Sequence, residues 1–300
     1  MKYEFRTIVE CNMCGSSTSG HKILGKRMNK SQGKRPWKNA GITTTIFKCS
    51  NCSLIYSNPQ PVPINIQDHY GIPPEEYWTD EYLKVDATYF TKEIQRSKEL
   101  NAFSPGMKAL DIGAGLGNCM IALEAAGYEA YGIEPSVPFY ERAISMMKIN
   151  PDRLKFGMLE EVDYPPNEFD FITFGAVLEH LYDPSASLKR ALNWLKPGGI
   201  IQIEVPSSRW LIHKLINLYY KLRGTDYVGN LSPMHTPFHL YEFDLVSFQK
   251  NGAKVGYEIA FYEYYICQTY LPSFLDKFIK PIMRKTNSGM QLCVWLRKTA

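Results

Sequence analysis

From about residue 105 onward, short apolar runs of strand length alternate with stretches whose apolar residues recur every three or four positions. Residues 108–112 read as a buried strand, 117–126 as a helix, 129–133 as a strand and 138–147 as a helix. Another apolar strand at 169–174 is followed by a helix at 184–195, a Pro197-Gly198-Gly199 turn and a strand at 200–205. Strands alternating with helices predict an α/β fold, a parallel sheet covered on both faces. Beyond Gly252, apolar runs at 255–262 and 292–296 predict an antiparallel pair at one sheet edge.

The first part of the chain has a different pattern. Residues 1–62 hold two Cys-x-x-Cys pairs and read as a small ribbon. Pro59, Pro61, Pro63, Pro73 and Pro74 mark a linker, because proline interrupts both helix and sheet. Residues 77–103 read as one or two amphipathic helices rich in aromatics, among them Tyr77, Tyr82, Tyr89 and Phe90. The expected organisation is therefore a ribbon over 1–62, a linker and helical lid over 63–104, and an α/β domain over 105–300 with an insertion at about 207–245.

Composition sharpens this division. Of 300 residues, 45% are hydrophobic and 21% charged, which excludes disorder. The N-terminus lacks an apolar run of signal-peptide length, and no run of about 18 apolar residues occurs, so a cytoplasmic protein is expected. Residues 1–60 carry ten Lys and Arg against Glu4 and Glu10, whereas the remaining residues are net acidic. The basic character thus belongs to the N-terminal module, including an acid-free stretch from Lys22 to Lys38 read as a basic loop.

The chemistry concentrates where the first strand of the α/β domain turns into its helix, at Leu110-Asp111-Ile112-Gly113-Ala114-Gly115-Leu116-Gly117-Asn118. Glycines there let a ligand approach the backbone. A dinucleotide fingerprint would place glycine or alanine at Asn118, no Gly-Lys-Ser/Thr follows, and Asp111 would repel a pyrophosphate. A cationic ligand is favoured instead. Glu134, followed by Pro135 at the end of the second strand, suits a ribose diol. A glycine loop between two acids thus describes a pocket for a positively charged nucleoside such as S-adenosylmethionine.

On these residues the chain resembles the class I S-adenosylmethionine-dependent methyltransferases. LDIGAGLGN, YGIEPS, FDFITFGAVLEHLYDP and LKPGGIIQIEVPS fall in the family's order over residues 105–206. The resemblance implies a Rossmann-like seven-stranded sheet. It places Asp111, Gly113, Ala114 and Gly115 under the methionine moiety, Glu134 and Pro135 at the ribose, Leu159 and Glu160 beside the adenine, and Phe174 and Ala176 beside the sulfonium. Tyr77 and Tyr82 become candidate lid contacts.

Cys11, Cys14, Cys49 and Cys52 form two pairs with the spacing of a tetrahedral zinc site. Four thiolates leave no open coordination position, so the zinc would be structural. CNMCG and FKCSNCSLIYSNPQP also resemble the zinc-binding domain of bacterial relatives of sugar C-methyltransferases. Those enzymes carry a further large C-terminal domain, so methyl transfer to oxygen or nitrogen of a small molecule, a sugar or related metabolite, fits this length better.

A hydroxyl acceptor needs a base, and histidine is the simplest choice. His239 is expected ahead of His180, with His235 third; His180 lies just past the fourth strand, and the other two lie after the fifth. Trp210-to-Arg223 and Phe274-to-Lys285 are basic and amphipathic, a pattern of acceptor caps and of membrane-surface helices. One alternative is an RNA methyltransferase gripping its substrate through the basic module. Against it, Lys22–Lys38 offers only Trp37 for stacking, and no Asn/Asp-Pro-Pro-Tyr amine site follows Phe174. The other alternative is a non-catalytic donor-binding regulatory partner.

Overall fold

The computed structural model describes residues 3–30, 39–65, 67, 89–229, 231–233, 239–267, 269 and 271–299, with main chain alone at 29–30 and 39–41. Five strands open the chain: Tyr3–Arg6 (β1), Lys22–Lys30 (β2), Asn39–Lys48 (β3), Ile55–Asn58 (β4) and Gln60–Pro63 (β5). β2, β3 and β4 pair in antiparallel succession, while β1 pairs with β5. The expected basic loop over 22–38 is therefore corrected in its first half. Lys22 to Lys30 is a strand, because β-branched Ile42-Thr43-Thr44-Thr45-Ile46 of β3 gives it a long partner. Residues 31–38 lie outside the described residues, as do Tyr77, Tyr82 and His235.

The α/β part begins with helix Thr91–Leu100 (α1), the described share of the expected lid helices. Then follow Lys108–Ile112 (β6), Asn118–Ala125 (α2), Glu129–Glu134 (β7), Val137–Ser145 (α3), Leu154–Phe156 (β8), Phe169–Gly175 (β9), Pro184–Trp194 (α4) and Leu195–Pro206 (β10). Leu211–Leu222 (α5), Tyr241–Glu242 (β11), Leu245–Val255 (α6), Tyr257–Tyr265 (β12), Ser273–Thr286 (α7) and Gln291–Lys298 (β13) complete the described order. The seven-stranded sheet runs β12-β13-β10-β9-β6-β7-β8, and β13 alone runs opposite to the other six strands.

The central strands are apolar on both sides because both faces are covered. Phe169, Phe171, Ile172 and Phe174 of β9 are all wholly buried, as are Ile200, Ile201 and Ile203 of β10. α4 starts where Asp183 accepts from the Ala186 N–H at 2.9 Å and Pro184 supplies a preset φ. β10 extends further back than the expected start at 200. Leu195 already pairs with Phe169, and the Pro197-Gly198-Gly199 turn sits in an irregularity between Leu195 and Ile200.

β11 crosses between the two parts of the chain. It lies beside β10 and pairs with β4, Tyr241 opposite Tyr56 and Glu242 opposite Ile55, completing the four-stranded N-terminal sheet. Lys26 N–H donates to Asp226 O at 2.7 Å, so the 207–245 segment lies against the N-terminal module along β2 as well. No helix among the described residues is long and apolar enough to cross a membrane.

Candidate active site

β6 leads through Gly113-Ala114-Gly115-Leu116-Gly117 into α2. Gly113, Gly115 and Gly117 have φ of 75°, 56° and 86°, a region that costs an ordinary L-residue about 1–2 kcal/mol. Gly113 is also confined, since a Cβ there would lie 2.5 Å from Cγ2 of Val177. The glycine loop therefore packs on the turn after β9. Gly113 and Ala114 both donate their N–H to Ile133 O at 2.9 Å. Gly115 N–H donates to Oε2 of Glu134, and Ser136 N–H to Oε1, each at 2.7 Å. Each oxygen keeps a further lone pair for a ligand diol.

Buried acids surround this loop. Asp111 is 4% exposed and its carboxyl is pushed up to about 8, by burial first and Glu134 second, although the Cys119 thiol donates to it. Burial pushes Glu134 to about 7 against the pull of its two N–H donors. Two more carboxylates arrive from distant elements that local spacing in the sequence does not connect. Glu93 of α1 accepts from Tyr265 OH at 2.7 Å. Glu204 of β10, in register with Gly175, is pushed to about 7 by burial and then by Glu93. Among the described residues, no lysine or arginine acts on Asp111, Glu134 or Glu204. Such a lining favours a cation, and the residues fit a sulfonium nucleoside: buried acids with no lysine or arginine acting on them among the described residues, and glycine backbone that leaves room.

Phe174 is buried at the end of β9, and Ala176 follows with φ 54° and its N–H donating to Glu204 O at 3.1 Å. Phe90 stands at the entrance of α1, its ring 3.8 Å from where a Cβ on Gly175 would lie. Among the described residues Phe90 is thus the aromatic that the lid segment brings to the strand end. Gln67 of the linker donates to Pro135 O at 2.8 Å and accepts from the Val137 N–H at 3.3 Å, bracing the turn after Glu134. Gly157 N–H donates to Glu134 O at 3.1 Å, which brings the segment after β8 to this side. There the Leu159 side chain is buried in the core and Glu160 is exposed.

The two described candidate bases come together. The rings of His180 and His239 meet edge to face with centroids 4.5 Å apart. Leu240 N–H donates to Glu179 O at 2.7 Å, tying the two segments. His239 Nδ1 is hydrogen-bonded to Ser232 Oγ, and Ser232 N–H is held by Oε1 of Glu242 at 2.6 Å. Glu179 is 1% exposed, its Oε2 has no hydrogen-bond partner, and burial pushes its carboxyl to about 8. Glu179, His180 and His239 each bring a ligand atom within 4.8 Å of the others, a donor set that could also hold a transition-metal cation.

The four N-terminal cysteines form a second cluster. Their sulfurs all lie within 4.8 Å of one another, with Cys11–Cys52 at 3.5 Å and Cys14–Cys49 at 3.6 Å. Thiolates about 2.3 Å from a tetrahedral zinc stand about 3.8 Å apart, so the spacing fits. Each pair sits on a tight turn: Gly15 N–H donates to Cys11 O with φ 74° at Gly15, and Ser53 N–H to Cys49 O with φ 64° at Ser53. Hydrogen bonds from Cys11 and Cys52 hold Cys49 far down, while Cys11 and Cys52 are pushed up, Cys11 to about 12. Gathering four thiolates here takes a cation. The turns are docked on the α/β part through Ser247 Oγ to Cys52 O at 2.8 Å and Asn251 Nδ2 to Met13 O at 2.9 Å.

Residues 85–260 match the profile of the methyltransferase-domain family, more than half of the chain. The chain belongs to that family. The methyltransferase is 30% identical over 137 residues to a ubiquinone biosynthesis O-methyltransferase of Bradyrhizobium diazoefficiens, covering 44% of this chain and 50% of that protein. It is 28% identical over 162 residues to phosphoethanolamine N-methyltransferase 3 of Arabidopsis thaliana, 51% of this chain and 31% of that one. Its alignments span about half the length of the first curated relatives it matches. An S-adenosylmethionine-dependent methyltransferase from Methanosarcina mazei shares the fold, with TM-score 0.50, 16% identity, and coverage of 69% of this chain and 97% of that one. Membership brings S-adenosylmethionine as the donor for which the acid-lined pocket is suited.

Proposed function

We propose that this methyltransferase moves a methyl group from S-adenosylmethionine to a hydroxyl or amine of a small-molecule acceptor, and that the acceptor is a sugar or related metabolite. The observation that carries the donor half is Glu134, which bridges the Gly115 and Ser136 N–H groups above buried Asp111. When bound, S-adenosylmethionine supplies a methyl group activated by its sulfonium. The chain's part is placement and proton removal. Asp111, Glu134 and the glycine loop hold the donor, and Ala176 and Phe90 border the place where the methyl emerges.

On the acceptor side His239 is the base we favour over His180. Ser232 and Glu242 fix its ring, and with Ser232 accepting from Nδ1–H, Nε2 carries the lone pair that takes the acceptor proton. The relatives, one an O-methyltransferase and one an N-methyltransferase, are consistent with either atom. Cys11, Cys14, Cys49 and Cys52 are proposed to hold a structural zinc. The RNA reading loses ground because part of the basic charge is already engaged. Lys26 pairs with Asp226 at 3.0 Å, and Arg27 is buried near Glu242.

The test is release of S-adenosylhomocysteine when the protein is offered size-fractionated cell extract, with and without ribonuclease. Turnover supported by the small-metabolite fraction is expected, and mass spectrometry of that fraction then identifies the acceptor. Turnover abolished by ribonuclease would replace this reading with RNA methylation. Donor binding without turnover on any fraction would make the chain a non-catalytic partner. Calorimetry on Glu134→Ala should show donor affinity at least about tenfold weaker; unchanged affinity would remove Glu134 from the donor site.

A further inference from the structure

α5 and α7 share a small apolar cluster apart from the main core. Trp210, Ile212 and Met283 are buried in it, with Ile216 and Ile279 packed alongside. Leu211 N–H donates to Ser288 O at 3.2 Å, so the start of α5 sits against the end of α7. Each helix turns one strip inward for this contact and carries a second apolar strip into solvent. On α5 that strip is Leu215, Leu218, Tyr219 and Leu222, 49–78% exposed; on α7 it is Phe274, Phe278 and Ile282, 52–69% exposed. Spacings of three and four residues keep each set on one side of its helix. Single exposed apolar residues are ordinary, but two such rows on neighbouring helices are not.

The charge beside these rows is of one sign. Helical spacing places Lys214 and Lys221 along the α5 strip, and Lys277, Arg284 and Lys285 along the α7 strip. Asp276 is the only acid in either helix, and it is bound to Lys280 at 3.0 Å. Among the described residues no other lysine or arginine of the two helices is in an ion pair. A symmetric contact with a second copy of this face would set cationic rows against each other, which is unfavourable. Phospholipid headgroups carry the opposite sign.

We propose that the α5–α7 face docks on an anionic lipid bilayer, its apolar strips entering the headgroup–acyl boundary and its lysines and arginines meeting lipid phosphates. The test of this surface needs neither donor nor acceptor. The experiment is vesicle flotation with the full chain, comparing phosphatidylglycerol–phosphatidylcholine vesicles with phosphatidylcholine alone. The protein should float with the anionic vesicles only, and added salt should release it. Leu218→Ser/Leu222→Ser/Phe274→Ser/Phe278→Ser should bind at least about tenfold more weakly, and Lys277→Glu/Arg284→Glu should also bind more weakly. All six positions are exposed, so circular dichroism melting should be unchanged. Absence of flotation, or flotation indifferent to both variants, overturns the proposal. So does a wild-type dimer in sedimentation that the serine variant converts to monomer without any vesicle binding, because the face would then join two copies.

Discussion

Replacing Asp111 with asparagine separates the cost of a buried charge from its use. The carboxyl is nearly inaccessible, and its pKa is displaced from the ordinary 3.8 to about 8, chiefly by burial. The folded chain therefore keeps a proton that the unfolded chain has released. The contribution to stability is fully present below about 3.8, falls as pH rises, and is lost above about 8. At about 1.4 kcal/mol per pH unit, wild type should lose on the order of 4 kcal/mol between pH 5 and pH 8 that Asp111→Asn retains. With about 2–4 °C per kcal/mol for a domain of this size, the gap between their melting temperatures should change by on the order of 10 °C over that range.

The assay is differential scanning fluorimetry of both donor-free proteins from pH 5 to pH 8. Glu179, Glu204 and Glu242 are displaced in the same direction and their slopes cancel in the difference, whereas Glu134 interacts with Asp111 and its share enters the measured gap. Added S-adenosylmethionine should stabilise wild type more at pH 8 than at pH 5, because the sulfonium offsets the ionised acids. S-adenosylhomocysteine, without that charge, should show a flatter pH response. Melting curves of the two proteins that stay parallel at every pH would refute the reading of Asp111 as an uncompensated buried acid.

The donor loop, the acceptor side and the zinc cluster each give a further expectation. Gly113→Ala places a methyl group against Val177 at a φ of 75°, so it should cost about 2 kcal/mol or more and weaken donor binding; an unchanged melting temperature would deny that close approach. His239→Asn should lower kcat by on the order of a hundredfold while leaving donor affinity unchanged, and Ser232→Ala should lower kcat less. Full activity in His239→Asn would transfer the base to His180. Atomic absorption should find one equivalent of zinc per chain in wild type, and Cys49→Ser should lose it and melt earlier. Retention of that equivalent would show that Cys49 is not a ligand.

Most of the α/β core was legible because each strand is a run of apolar residues bounded by turn formers. The first strand was expected at Lys108–Ile112 and is found there, and the expected edge pair became β12 and β13. β8 escaped because three residues give no period, whereas α6 begins at a capping box formed by Asp244 and Ser247. The candidate site was legible where its residues are neighbours along the chain, as in Asp111 to Gly115. Glu93 and Glu204 were not, because α1 and β10 are far apart along the chain, and only tertiary packing buries the two acids near one another.

The same distinction explains the most consequential feature that sequence pattern could not supply, the closure of the N-terminal sheet by β11. Two residues, Tyr241 and Glu242, carry no periodic signal, yet they pair with β4 and stand two and three positions after His239. Glu242 accepts from Ser232, Ser232 bonds His239, and the charge of Arg27 on β2 acts on Glu242. From the other side, Cys52 O and Met13 O are held by Ser247 and Asn251 of α6. The acceptor-side histidine is thus positioned by a segment braced against the four-cysteine module. Asp111, Glu134 and the glycine loop depend on β6 and β7 instead. A change that loosens the cysteine cluster should therefore reach turnover before it reaches donor affinity, because the path from cluster to His239 is a short chain of hydrogen bonds and strand pairing, while the donor loop lies on the other strands.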